Sequence, residues 1–308
     1  MEAPKFTPRP NRGFPLSTIS TAMTPTKDQF LAAIMQIERF SAAPVILSSA
    51  LKLLRDPQSD IESIAELVGR DSALVADIIR CANSAYYGGG SSSNIGDAVQ
   101  KIGLKETIRI LNVAVARIVS NRDLGCYGIH GSDFWAESLF NGLFIQALAK
   151  ETGEADPDEA YTAGLLRFIG RLAINQTLEN LHGGLFWDGS EPITHWELEN
   201  VGLAQAEAGA ILMATWHFPQ RIVQAIGAQD HPAILDERNW LADALFFASA
   251  MLPQGVGTPF LPSVGPIWGL TAAGTEFLHR CNLDAAAVDT VLSSTSQAFD
   301  EIRKHFEV

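Results

Sequence analysis

The sequence predicts an all-α fold, on three observations. From Thr26 onward, apolar residues recur at the three-and-four spacing of an amphipathic helix. No stretch shows the apolar–polar alternation of a half-buried strand. Asp, Asn, Ser and Pro open the periodic stretches and Gly or Asp-Pro closes several of them, as helix caps and breakers do.

The elements follow in order. Residues 1–25 hold Pro4, Pro8, Pro10, Pro15 and Pro25 with little periodic apolarity, and read as a flexible tail. Phe30, Ile34 and Ile37 share one face of a first helix. Pro44 opens a second, with the stripe Val45, Leu47, Leu51 and Leu54, and Asp56-Pro57 ends it. Ser59 or Asp60 caps a third, which carries Ile61, Ile64, Ala65 and Val68. After the turn Gly69-Arg70-Asp71 a fourth runs from Ser72 to Tyr87, followed by a Gly/Ser loop from Gly88 to Ser93. Asn94 caps a short helix ended by Gly103, and a longer one spans Leu104 to about Arg122. In the second half, Ser132 or Asp133 starts an apolar helix to about Glu151. Asp156-Pro157 supplies the cap and first-turn proline of the next, predicted to run to about Leu178. Further helices are predicted over 193–200, 203–217, 219–229, 238–252 and 284–306.

Composition bounds the function. The 308 residues are 47% apolar and 19% charged, enough to bury a core without disulfide or metal staples. Basic residues number 22 and acidic ones 35, so the net charge is −13. Such a chain repels nucleic acid and anionic membrane unless it carries a concentrated basic patch, and neither is an expected partner. Cys81, Cys126 and Cys281 are odd in number, widely spaced and without C-x-x-C, and read as buried reduced thiols of a cytoplasmic protein. No basic start leads into an apolar run, so no signal peptide is expected. The most apolar window, Leu241 to Leu252, is short and contains Asp243, so no membrane span is predicted.

Familiar catalytic motifs are missing. The sequence has no G-x-S-x-G, no G-x-x-x-x-G-K-[ST] and no H-E-x-x-H. Gly88-Gly89-Gly90 follows a helix and brings no lysine. None of the seven histidines precedes Asp, and no two lie three or four residues apart. Ile64 to Gly69 with Ala73 to Ile79 scans as a helix-turn-helix. Between Ile61 and Asn83, however, Arg70 and Arg80 face Glu62, Glu66, Asp71 and Asp77, a net of −2, which fits a packed hairpin better than a DNA reader. Lys101, Lys105, Arg109 and Arg117 form a basic stripe; with Arg122 and Glu106, residues 99–122 carry 5 − 1 = +4. That stripe is either a solvated face or a docking surface for an acidic partner.

The run RDSALVADIIRCANSAYYGG from Arg70 resembles the most characteristic stretch of the HDOD family, the HD-related output domains of bacterial signalling proteins. Leu51-Lys52-Leu53-Leu54, Ile95-Gly96-Asp97-Ala98-Val99, Phe134-Trp135, Ala163-Gly164-Leu165-Leu166 with Ile169-Gly170, and Ala206-Glu207-Ala208-Gly209-Ala210 agree with it. The resemblance covers roughly residues 35–235. It implies an N-terminal helical bundle, residues 26–122, packed on a degenerate HD-domain bundle, residues 123–308 with the C-terminal helices.

Catalytic HD enzymes hold metal with histidines and aspartates from several helices. By the resemblance, Glu137 stands at or next to the first histidine, and Arg167-Phe168 replaces the His-Asp pair. Gln205 replaces the next histidine; Gln229-Asp230 stands at the later pair, with His231 one place beyond. A guanidinium cannot ligate a cation and phenylalanine has no donor atom. The resemblance therefore implies no metal, no cofactor and no enzyme activity, but a regulatory module acting through other signalling proteins. Glu137 or Asp230 is expected to pair with Arg167, since an unpaired buried guanidinium is costly. The rival expectations are a nucleotide or other small anion held by Arg167 in the vacated pocket, and a residual metal-dependent phosphohydrolase. No receiver, cyclase or phosphodiesterase segment is evident, so input is expected from a partner or small ligand. Trp268 is expected in the core.

Overall fold

The computed structural model describes residues 26–37, 49–50, 53, 60–69, 72–83, 87, 92–111, 123–181, 184–252 and 272–306. The proline-rich tail, Arg117, Arg122 and Trp268 lie outside the described residues, as does the predicted Pro44 helix except for Ser49, Ala50 and Leu53, which are helical. The helices are α1 (Lys27–Met35), α2 (Ile61–Val68), α3 (Ser72–Ala82), α4 (Ile95–Ile102), α5 (Gly131–Thr152), α6 (Pro157–Leu166), α7 (Ile169–Asn180), α8 (Ile193–Asn200), α9 (Gln205–Thr215), α10 (Gln220–Gly227), α11 (Trp240–Met251), α12 (Ala272–Arg280) and α13 (Ala285–Phe306). Residues 104–111 are helical as well. The only extended pairing among the described residues is an isolated bridge between Leu124 and Ile129.

Local chemistry sets the ends. Thr26 and Gln29 form a reciprocal capping box at α1. Asp60, Asn94 and Asp156 each accept a backbone N–H at the start of α2, α4 and α6, as the sequence predicts. Gly103, at φ +82, ends α4 in a conformation L side chains avoid. The fourth helix stops at Ala82 rather than Tyr87. There the Asn83 side chain bonds Ser92 in both directions, Nδ2 to the carbonyl at 3.0 Å and Oδ1 from the amide at 2.7 Å, closing the loop instead of prolonging the helix.

In the first half, α4 packs on α2 and α3. In the second, α5 and α6 pair along their length, and α13 lies on α5. Phe140 meets Phe299 edge-on at 5.5 Å, while Phe247 stacks on Phe144 and Phe277, which joins α5, α11, α12 and α13 in one aromatic core. α1 packs on α7 and α9 of the second half, and the Trp216 indole N–H donates to the Ile37 carbonyl at 3.1 Å. The three cysteines are free, but only Cys126 is buried; Cys81 and Cys281 are partly exposed.

Two contacts bring backbones together and decide where the centre of the second half lies. A Cβ on Gly164 would stand 2.6 Å from the Asn141 carbonyl oxygen, so α5 and α6 touch main chain to main chain. A Cβ on Gly170 would fall 1.8 Å from the Gln205 carbonyl oxygen, so α7 and α9 do the same. Arg167 and Phe168 lie in the short turn between these two contacts.

Candidate functional site

The helix predicted from Pro157 to about Leu178 is broken. α6 ends at Leu166, Arg167 and Phe168 form a turn, and α7 starts at Ile169. The apolar periodicity runs through this point, so the pattern alone gives no sign of the break. The turn lets Gly170 seat against α9 and aims Arg167 into the core, where it is 1% exposed.

The Arg167 guanidinium ties three elements together. Nη1 donates to Asn141 Oδ1 on α5 at 2.7 Å, Nε to Gln229 Oε1 beyond α10 at 3.4 Å, and Nη2 to the Ser249 hydroxyl on α11. Each acceptor is anchored in turn. Asn141 Nδ2 donates to the Glu137 carbonyl, Ser249 Oγ to the Leu245 carbonyl, and Gln229 Nε2 to the carbonyls of Arg167 and Ile226. The Phe168 ring lies under two cations, with the Arg167 and Arg171 guanidinium carbons 4.6 and 4.4 Å from its centroid. Burial pulls the Arg167 guanidinium down to about 10, against the pull of Glu137 and Asp230, so it stays charged at neutral pH.

The expected ion pair is absent. Neither Glu137 nor Asp230 comes within salt-bridge distance of Arg167, and both act on it only through space. Three neutral acceptors bond the guanidinium instead. Glu137 is 3% exposed. Burial pushes its carboxyl above the ordinary range, Arg171 and then Arg167 pull it down, and Asp133 pushes it up.

Glu197, which the sequence reading passes over, is a second buried carboxylate. It accepts the Tyr127 hydroxyl at 3.1 Å and the Gln205 amide at 2.8 Å, so it caps α9 where Ala204 has no side chain to do so. Burial raises its carboxyl, and Arg171 is the strongest opposing influence. Gln205 therefore enters the cluster through its backbone, while its buried side-chain oxygen finds no hydrogen-bond donor.

The structure thus gathers Glu137, Arg167, Phe168, Gln229 and Asp230 about one centre and links Gln205 to it through Glu197. Asn141, Ser249, Arg171, Glu197 and Tyr127 complete it. Arg171 had a sequence signal, since it lies four residues from Arg167 on one helical face. Asn141 and Ser249 had none.

A metal of the catalytic HD kind does not fit this donor set. At the positions that the resemblance matches to the His-Asp pair stand a guanidinium and a phenyl ring, neither of which can ligate a cation. Among the described residues, no three His, Cys, Asp or Glu side chains converge.

The pH dependence of Glu137 has a definite sign. A carboxyl raised by folding stabilises the native state fully below its unfolded value, near 4.5, and loses that contribution as pH rises through the raised value. Glu137→Gln is therefore expected to gain stability over the wild type steadily as pH goes from 4 to 8, read by urea unfolding across that range. A constant difference between the two curves would contradict this.

The basic stripe is not one face. Lys101 Nζ donates to the Ala82 carbonyl at 2.7 Å and so caps α3, and Gly103 then turns the chain. Beyond the turn, Arg109 lies 3.7 Å from Glu106, and at the start of α6 burial and then Asp156 push the Asp158 carboxyl up against the opposing pull of Lys105, Lys150 and Arg109. Lys105 and Arg109 thus face acidic groups of the chain itself, while Lys101 bonds a backbone carbonyl.

Comparison with known proteins places this geometry. Residues 41–232 match the HDOD domain model. An uncharacterized protein of Treponema pallidum is 27% identical over 198 residues, 61% of this chain; the match spans 38% of that protein's length. The crystal structure of an HDOD domain protein of unknown function from Geobacter sulfurreducens superposes with a TM-score of 0.62 at 22% identity, covering 86% of this chain and 92% of that one. A candidate signal transduction protein from Marinobacter aquaeolei superposes at 0.65 with 20% identity, covering 92% of this chain and 66% of that one. At these identities the superpositions establish a shared fold.

Proposed function

The chain belongs to the HDOD domain family, and we propose that it is a non-catalytic regulatory module, working in the cytoplasm through contacts with other signalling proteins. The observation that carries this reading is the Arg167 guanidinium, bonded to Asn141, Gln229 and Ser249 where catalytic HD relatives place a metal-binding histidine. A fixed cation there repels a divalent ion, and without that ion no water is activated for phosphoryl transfer. The family and its signalling relatives support the regulatory side, and three free cysteines suit a reducing compartment. An anion bound to Arg167 itself would first have to displace Asn141, Gln229 or Ser249, which disfavours a nucleotide sensor at that spot.

The test is turnover of bis(p-nitrophenyl) phosphate by the full chain with Mg²⁺, Mn²⁺ or Zn²⁺. The expected rate is that of the metal in buffer. A metal-stimulated rate lost in Asp230→Ala would overturn the reading.

A further inference from the structure

Asp230 also lines a cleft outside the centre. The cleft has a volume of about 420 Å³ and lies between the turn Pro232–Ile234, α11 and α12. That size accommodates a small metabolite. Arg238 Nε and Arg280 Nη1 converge from separate segments on one oxygen of Asp243, at 3.0 and 3.3 Å. Their side chains remain 42% and 36% exposed, and each also forms a looser ion pair at 3.8 Å, Arg238 with Glu154 and Arg280 with Glu276. Each guanidinium thus meets two carboxylates but spends few of its five N–H groups on them, so both keep donors for a ligand carboxylate. Asp230, half-buried, forms no hydrogen bond or ion pair with a described residue and offers an acceptor for a cation. Phe246 and Phe277 supply an apolar wall. Arg238 and Arg280 against Asp230, Asp243 and Glu276 leave the lining at 2 − 3 = −1, which disfavours a polyanion such as a nucleotide.

We propose that this cleft binds a small zwitterion of the amino-acid class, its carboxylate on Arg238 and Arg280, its ammonium on Asp230 and its side chain against the phenylalanines. Asp230 directly follows Gln229, which holds Arg167 from both ends, so the ligand would sit one residue from the buried network. The proposal is independent of whether the centre is catalytic.

The test is calorimetric titration of the full chain with each of the twenty free L-amino acids. At least one with an apolar side chain is expected to bind one-to-one with a dissociation constant of about 1 mM or tighter. Its carboxamide and its des-amino analogue should each bind at least about tenfold more weakly, as should the free amino acid to Arg280→Gln and Asp230→Asn. Both substitutions lie at partly exposed sites, and thermal melting verifies that the variants fold. The proposal is overturned if no amino acid binds, if the des-amino analogue binds equally well, or if both variants bind as the wild type does.

Discussion

Replacing Gly170 with alanine is expected to be the most damaging small change in the chain. The added Cβ would lie 1.8 Å from the Gln205 carbonyl oxygen and 2.7 Å from the Gly209 nitrogen. Both are backbone atoms inside α9, so no rotamer relieves the clash and the two helices must separate. Separation also pulls the Gln205 amide away from Glu197 and loosens the turn that holds Arg167. We expect a loss of at least about 4 kcal/mol, which at this size is about 8 °C in Tm or outright insolubility. Gly153→Ala is the control: nothing lies within 4 Å of its Cβ and only its φ of +66 opposes the change, so about 1 kcal/mol is expected. Thermal melting of the two variants gives the comparison, and a Gly170→Ala protein within about 2 °C of wild type would refute the close contact.

Arg167→Ala is expected to cost about 4 kcal/mol by a different route. It removes three hydrogen bonds at once and leaves Asn141 and Gln229 with buried acceptors facing a cavity. The Phe168 ring loses one of its two cations. Arg167→Lys keeps the charge but cannot reproduce a planar fork that reaches three acceptors, so it should recover less than half the loss. Urea midpoints of the two variants measure this. A lysine variant as stable as wild type would mean that charge alone, rather than the three-way geometry, is what the centre needs.

The helical fold was largely legible because its signals are local. Asp60, Asn94 and Asp156 cap the helices they precede, and Gly103 ends one. Two misjudged ends have long-range or competing causes. The Arg167-Phe168 break is dictated by α9 seating on Gly170, a contact between residues far apart in sequence. The early stop at Ala82 comes from the Asn83 side chain capturing Ser92. α12 was missed because its short apolar stripe, with Phe277 at its centre, is defined only by packing on α11. In the centre, the resemblance located Arg167, Phe168, Gln229 and Asp230, but it marks where relatives hold metal. It says nothing of the neutral side chains that satisfy an arginine put there instead. For that reason Asn141 and Ser249 were invisible and an ion pair was expected in their place.

The most direct test of the central claim is the divalent-metal content of the purified, tag-free chain after exposure to excess Mn²⁺, Zn²⁺ or Mg²⁺ and desalting. With Arg167 and Phe168 at the ligand positions, the content should be far below one ion per chain for every metal. One or two ions per chain, lost on Glu137→Ala or Asp230→Ala, would show that the centre still holds metal and would contradict the account.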